Sequence, residues 1–244
     1  MATQRPHGDY GIDAPWVPWM WVGYTVVYAA LTVAAATLWE AWWWVVVILG
    51  LVTVASAAGA VLYWHTSLRG KFILWDGLLD RVTLPPGASI LDVGCGHGTV
   101  SIMAALRFPG MTVTGIDLWR SVDQSGNTLT AAQANAAVNG VEDRVRFETG
   151  DMTELPYPDG SFELVTASLA IHNIQTREAR RRAIGEAVRV LAPGGRIVIA
   201  DIRRAGEYAD DLRAAGLTVT TAPLGWRGWW SGPWVATTAV DATR

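Results

Sequence analysis

The sequence predicts an α/β domain, a doubly wound and mainly parallel seven-stranded sheet with a terminal antiparallel β-hairpin, preceded by a two-helix transmembrane hairpin. Three observations carry that expectation. Beyond about residue 89, short apolar runs alternate with helix-period segments, the pattern of a sheet covered by helices on both faces. The first such run ends in LDVGCGHG, Leu91 to Gly98, where a strand turns through glycines before a helix begins. Ahead of both, Trp19 to Trp39 and Ala41 to Trp64 are uncharged stretches of 21 and 24 residues, separated only by Glu40.

As helices at 1.5 Å per residue, each uncharged stretch spans the roughly 30 Å hydrocarbon core of a bilayer. A cleaved signal peptide would have a shorter apolar region behind a basic start. The 14 tryptophans are unevenly spread, with eight between Trp16 and Trp64 and four between Trp226 and Trp234. Trp16, Trp19 and Trp21 mark one end of the first span, Trp39, Trp42, Trp43 and Trp44 surround the turn, and Trp64 closes the second span, as in an interfacial aromatic belt. Ala30, Ala34 and Ala35, with Ala55, Ser56, Gly59 and Ala60, permit close helix packing within the hairpin or between two copies in a homo-oligomer. Arg69, Lys71 and Arg81 follow the second span, so the positive-inside bias puts the remainder of the chain in the cytoplasm. Four regions result: an N-terminal cytoplasmic segment (1–18), the transmembrane hairpin (19–65), a linker with an amphipathic helix (66–88) and the α/β domain (89–244). A buried hairpin of a soluble protein is the alternative, but soluble cores rarely need helices uncharged over their whole length.

Lys71 to Val82 reads as the amphipathic helix, broken by Pro85, Pro86 and Gly87. Strands are then expected at Ser89 to Val93, Thr112 to Ile116, Val145 to Glu148, Phe162 to Ala167 and Arg196 to Ile202. Helices are expected at Thr99 to Arg107, Thr128 to Val138 and Arg177 to Leu191. After a last helix, Ala205 to Ala215, two strands, Leu217 to Thr221 and Trp234 to Val240, leave no room for a crossover helix and so form an antiparallel hairpin. Ligands of such sheets bind at the strands' C-terminal ends.

Composition removes several classes of function. With 19 basic and 22 acidic residues the net charge is −3, which excludes the electrostatic signature of nucleic-acid binding. The single cysteine, Cys95, excludes an internal disulfide and a multi-cysteine zinc site, and no metal is expected. Cys95 reads as a small filler beside the loop, and His97 as a cap or lining group. Arg177, Arg180, Arg181 and Arg182 interleave with Glu178 and Glu186 and read as a solvated helix face.

Three features narrow the ligand of the glycine loop. Gly94, Gly96 and Gly98 are evenly spaced, unlike the GxGxxG of dinucleotide folds. Asp117 ends the second strand, where a carboxylate can accept from both hydroxyls of a ribose. Asp151 and Met152 follow the third strand, within reach of an adenine edge. With these in place, the chain from about residue 70 resembles the class I S-adenosylmethionine-dependent methyltransferases, a Rossmann-like family. LDVGCGHG, GID (Gly115 to Asp117), GDM (Gly150 to Met152), LPYPDGSFELV (Leu155 to Val165) and RVLAPGGRIVIADI (Arg189 to Ile202) match it in order. The resemblance implies S-adenosyl-L-methionine as cofactor. The backbone at Gly94 and Gly96 would face its methionine part, Asp92 would fix the turn and reach the amino group, and Asp117 would bind the ribose. Leu118 and Met152 would sandwich the adenine, Asp151 would accept from its amino group, and Ser168 would complete the cofactor-binding set.

Methyl transfer from a sulfonium needs an in-line nucleophile, so positioning and desolvation supply most of the acceleration. The segment SLAIHNI, Ser168 to Ile174, sits where this family shapes its acceptor pocket. His172 is the candidate general base for a hydroxyl or ammonium acceptor, with anchoring of the loop as its alternative role. The tail LGWRGWWSGPW, Leu224 to Trp234, joins four tryptophans to Arg227; Trp229 and Trp230 are expected to dip toward the bilayer. The partner expected from all this is a lipophilic small molecule methylated at the membrane. A soluble acceptor, a membrane-protein side chain, or a non-catalytic cofactor-binding scaffold are the other readings.

Overall fold

The computed structural model describes residues 5–38 and 42–244. The expected hairpin tip, Trp39 to Ala41, lies outside them. Helix α1 (Trp16–Thr37) and helix α2 (Trp43–His65) lie side by side, and α1 starts three residues before the expected Trp19. Pro18 falls in the first turn, where a missing N–H costs nothing because that donor has no intrahelical partner. Ala35, Ser56 and Ala60 are buried and Thr32 Oγ1 lies 3.4 Å from Thr53 Oγ1, so these residues pack inside the hairpin, whereas Ala30 and Ala55 face outward. The outward side chains are apolar: Val26, Val33, Ile48, Leu51, Val54 and Val61 are all exposed. Both helices are long and apolar enough to cross a membrane, and only 6% and 17% of their most apolar stretches are buried, so neither is a core helix of the domain.

In the linker region at 66–88, the expected amphipathic helix is present, and the residues ahead of it are helical as well. A π-helical turn (Thr66–Gly70) carries α2 into α3 (Lys71–Leu79) without a break. Gly70 permits this joint, because a Cβ there would lie 2.1 Å from the Arg227 carbonyl oxygen. The expected continuation of α3 to Val82 frays at Asp80, and the chain enters the sheet after Pro85 and Pro86.

The sheet contains β1 (Ser89–Val93), β2 (Thr112–Asp117), β3 (Val145–Thr149), β4 (Phe162–Ser168), β5 (Leu191–Asp201), β6 (Thr218–Pro223) and β7 (Thr238–Thr243). Their order is β3-β2-β1-β4-β5-β7-β6, with β7 alone antiparallel to its neighbours. Helices α4 (Thr99–Arg107), α5 (Leu129–Val138), α6 (Arg177–Val190) and α7 (Ala205–Ala214) supply the covering layers. Alternation along the strands divides the core into two. Ile90, Val113 and Leu164 pack with Phe72, Trp75 and Ile102 under α3, α4 and α5, whereas Leu91, Val165, Ile197 and Ile199 pack with Ile184, Tyr208 and Leu212 under α6 and α7.

The terminal hairpin is displaced from its expected position. Trp234 lies outside β7, 68% exposed, because a bridge between Trp229 and Ala236 closes a small hairpin ahead of the strand. The strand that follows places Ala239, Val240 and Ala242 inward. Trp230 also departs from expectation. It is buried, donates from Nε1 to Thr237 Oγ1 at 3.0 Å and packs edge-on against Tyr63 at 5.2 Å. It therefore anchors the tail to the end of α2 and is not free to dip into a bilayer, while Trp229 is half-buried beside it. The outward rings are Trp226 and Trp234.

Residues 5–15 are not a separate segment. They run as a strap over α5 and the glycine loop: Asn135 and Asn139 pair with the backbones of Asp9 and His7, and Ser125 with that of Ile12.

Candidate active site

A cavity of about 450 Å³ opens at the C-terminal ends of β1, β2 and β4. Its floor is the glycine loop. Gly94 has φ +69°, and a Cβ there would lie 2.3 Å from Ala170 Cβ, so the loop and the segment after β4 touch backbone to side chain. Gly94 and Gly96 line the cavity, as do Leu118, Asp151, Met152 and Ser168.

Asp117 ties the loop to the end of β2. Its Oδ2 accepts from Gly96 N at 2.9 Å, and its Oδ1 accepts from Trp119 N at 2.6 Å and Asn127 Nδ2 at 3.3 Å. Asn127 has no signal in the sequence beyond a polar turn. Yet it is buried at the cavity wall, and its Oδ1 has no hydrogen-bond partner among the described residues. A buried acceptor left in this way costs free energy until a donor arrives. Carboxylate and amide oxygens side by side suit the two hydroxyls of a ribose, and the apolar faces of Leu118 and Met152 suit a base. The residues present thus fit the nucleoside of the expected cofactor.

Asp92 sits behind the loop rather than at the cavity. Alternation in β1 turns it toward α4, where Oδ2 accepts from Ser101 N at 3.0 Å and Ser101 Oγ at 2.7 Å, and Oδ1 accepts from Thr166 Oγ1 at 2.8 Å. It is 1% exposed and does not line the cavity, so its geometry serves the turn and gives it no reach to an amino group. Burial pushes its carboxyl up to about 6, against the pull of the Ser101 and Thr166 hydrogen bonds. A raised folded-state value means that this group stabilises the fold fully below about pH 4 and that the contribution is lost as pH rises to about 6. Asp92→Asn removes that titration. The variant is expected to gain up to about 3 kcal/mol relative to the parent between about pH 4 and about pH 7. Denaturant unfolding in detergent micelles across that range reads the difference, and a constant gap would contradict it.

Cys95 is buried, and burial with the nearby Asp92 and Asp117 carboxylates pushes its thiol up, which keeps it neutral. His97 is also buried and its Nδ1 lies 2.8 Å from the Asp9 carbonyl, so it fastens the strap to the loop. Ser168 Oγ accepts from Trp75 Nε1 at 2.8 Å, which fixes α3 against the end of β4.

His172 falls in a 3-10 turn (Ile171–Asn173) after β4. Its neighbours Ala170 and Asn173 line the cavity, whereas its own ring turns toward Asp201 at the end of β5, with Nδ1 2.6 Å from Oδ1. Asp201 is itself held by Ile202 N at 2.7 Å and Tyr208 OH at 3.3 Å. The sequence does not announce this pairing, since the two residues meet only through the β4–β5 register.

Two further residues escape sequence reasoning. Lys71, at the start of α3, is 6% exposed and lines the cavity with Asp13 of the strap, to which it is paired at 2.9 Å. Asp13 also accepts from Ser67 Oγ at 2.8 Å and Gln124 Nε2 at 3.2 Å, while Tyr63 OH donates to its backbone carbonyl at 2.6 Å. Gln124 in turn accepts from His97 N at 3.1 Å. One aspartate thereby links the end of α2, the strap and the glycine loop. Arg180, in contrast to the expected solvated helix face, is buried and donates to Glu207 and to the carbonyls of Ile174 and Gln175; Arg181 and Arg182 remain exposed.

Residues 90–195 match a family described as a methyltransferase domain. Among curated proteins, the chain is similar to 27-O-demethylrifamycin SV methyltransferase of Amycolatopsis mediterranei, 39% identical over 52% of this chain and 43% of that protein. It is likewise similar to demethylmenaquinone methyltransferase of Thermus thermophilus, 39% identical over 45% of each chain. The chain thus spans about half the length of these relatives. Among solved structures, geranyl diphosphate C-methyltransferase from Streptomyces coelicolor A3(2), in complex with Mg2+, geranyl diphosphate and S-adenosyl-L-homocysteine, superposes with a TM-score of 0.59 at 17% identity. That match covers 73% of this chain and 82% of the other, a likeness of fold. Family match, sheet order and cavity converge: residues 90–195 match a methyltransferase domain, set in a seven-stranded sheet whose C-terminal cavity fits the nucleoside of S-adenosylmethionine.

Proposed function

We propose that the chain is an integral membrane methyltransferase that uses S-adenosyl-L-methionine to methylate a lipophilic small molecule at the cytoplasmic membrane face. The observation that carries this reading is the unbroken helix from α2 into α3, whose Lys71 lines the cavity. The hairpin, the tail loop and the cavity all meet at the C-terminal edge of the sheet, so an acceptor dissolved in the bilayer is concentrated at the mouth of the site. The apolar, exposed outer face of α1 and α2 supports insertion, and Arg69 and Lys71 on the domain side support a cytoplasmic orientation. Relatives named for methylating a rifamycin and a demethylmenaquinone agree with an apolar acceptor.

When bound, S-adenosylmethionine supplies a methyl group on a positively charged sulfur. The protein's part is to hold the nucleoside through Asp117, Asn127, Leu118 and Met152, to leave room above Gly94 and Gly96 for the methionine part, and to exclude water beneath the strap. His172, whose ring lies beside Asp201 just outside the cavity lining, is the candidate to take the proton of a hydroxyl or ammonium acceptor. His172→Gln is expected to lower kcat on the order of 100-fold with cofactor affinity intact; unchanged turnover would remove the base from this reading.

The protein in lipid vesicles, incubated with cofactor labelled on its methyl group, tests the whole. Label in extracted lipophilic material supports the proposal. Label retained in protein supports a side-chain acceptor, label confined to an added water-soluble compound supports a soluble acceptor, and binding without transfer supports a scaffold.

A further inference from the structure

The tail loop carries a feature that methyl transfer does not use. Between β6 and β7, a 3-10 turn (Trp226–Gly228) and the small hairpin behind it pack onto the joint between α2 and α3. Thr66 Oγ1 donates to the Trp229 carbonyl at 2.6 Å, Gly70 abuts the Arg227 carbonyl, and the Trp226 ring stacks on His65 at 5.1 Å. His65 is the last residue of α2, so Trp226 stands at the level where the apolar helix ends. Trp226 and Trp234 are 51% and 68% exposed, whereas Trp230 between them is buried. Leu68 on the π-helical turn and Ile73 on α3 are exposed beside them. Arg69 on the π-helical turn and Arg227 in the 3-10 turn are both exposed, and the Arg227 guanidinium lies 5.4 Å from the centre of the Trp226 ring.

We propose that this face is a second membrane contact, in which Trp226 and Trp234 lie in the interfacial layer of the bilayer and Arg69 and Arg227 meet lipid phosphates. The inference rests on the membrane reading of α1 and α2. Indole rings favour the headgroup level, and arginine beside them adds attraction to anionic lipid. Because the loop is locked to the joint by Thr66 and Tyr63, a hairpin in the bilayer and a loop on its surface fix the domain in one orientation. The mouth of the cavity then faces lipid and cannot swing toward solvent.

The chain's own cysteine is buried, so a single introduced thiol can be labelled selectively. Trp226→Cys and Trp234→Cys are each coupled to a small fluorophore, and the full-length proteins are placed in phosphatidylcholine–phosphatidylglycerol vesicles. Some vesicles carry lipid bearing a nitroxide near the headgroup. Leu106→Cys, beside the Arg107–Asp80 pair at the far end of α3, is the aqueous control, and Val33→Cys on the exposed face of α1, read with a nitroxide deep in the acyl chain, reports the span. Loss of fluorescence at 226 and 234, with none at 106, is the expected result. Quenching at 33 with none at 226 and 234 overturns the loop contact and leaves the span standing. Absence of quenching at 33 as well overturns both.

Discussion

Gly94→Val is expected to abolish cofactor binding and lower stability together. At φ +69° an L side chain carries a left-handed strain of about 1–2 kcal/mol. The added Cβ would also lie 2.3 Å from Ala170 Cβ and 3.1 Å from Met152 Cε, contacts that something must yield to relieve. Overpacking of this kind costs about 1–3 kcal/mol more. Either the glycine loop lifts or the segment after β4 withdraws, and both movements deform the cavity floor. Calorimetric titration with the cofactor should show no saturable heat, and unfolding should begin at lower denaturant. Gly87→Val is the matched control. It has a similar φ of +74° with nothing within 4 Å of its Cβ, so it should lose only the strain and bind normally. Equal affinity in the two variants would show that the contact with Ala170 is unimportant.

Asp117→Ala is expected to weaken cofactor binding on the order of 100-fold. The carboxylate accepts from two backbone N–H groups, Gly96 and Trp119, and has lone pairs to spare for a ribose. Charge-assisted hydrogen bonds are worth about 1.5–3 kcal/mol each, and about 1.4 kcal/mol changes an equilibrium tenfold. Losing the ribose bond and loosening the loop therefore combine to about two decades. Asp117→Asn keeps one acceptor and should recover part of that loss. Titration of both variants settles the matter, and undiminished affinity in the alanine protein would contradict the ribose role.

Much of this architecture is legible in the chain because it is local. Ser89 to Val93 reads as a buried strand, the glycines after it as a turn, and Arg177 to Leu191 as a long helix, since each is encoded within a few residues of itself. What the sequence hides is encoded at long separation. Asp13 and Lys71 are 58 residues apart, and nothing near either marks it as paired. Trp226, Trp229, Trp230 and Trp234 look equivalent in a row, yet a bridge between Trp229 and Ala236 buries one and exposes two. Asn127 reads as a turn residue until Asp117 is placed beside it. Asp92 reads as a ligand until alternation in β1 turns it toward Ser101. The joint at Thr66–Gly70 did not read as helix because a π-helical turn has no periodic signature of its own.

The strap gives the two halves of the chain a shared fate. A version begun after residue 65, the obvious way to obtain the domain without its apolar helices, would lose Asp13 and leave the Lys71 ammonium buried without its counter-charge. An orphaned buried ion of this kind destabilises by about 3–5 kcal/mol, a large share of what a domain has. Gln124, His97, Asn135 and Asn139 would lose their hydrogen bonds to the strap at the same stroke. A variant whose exposed helix faces are recast with polar side chains therefore has to keep residues 5–15 in place.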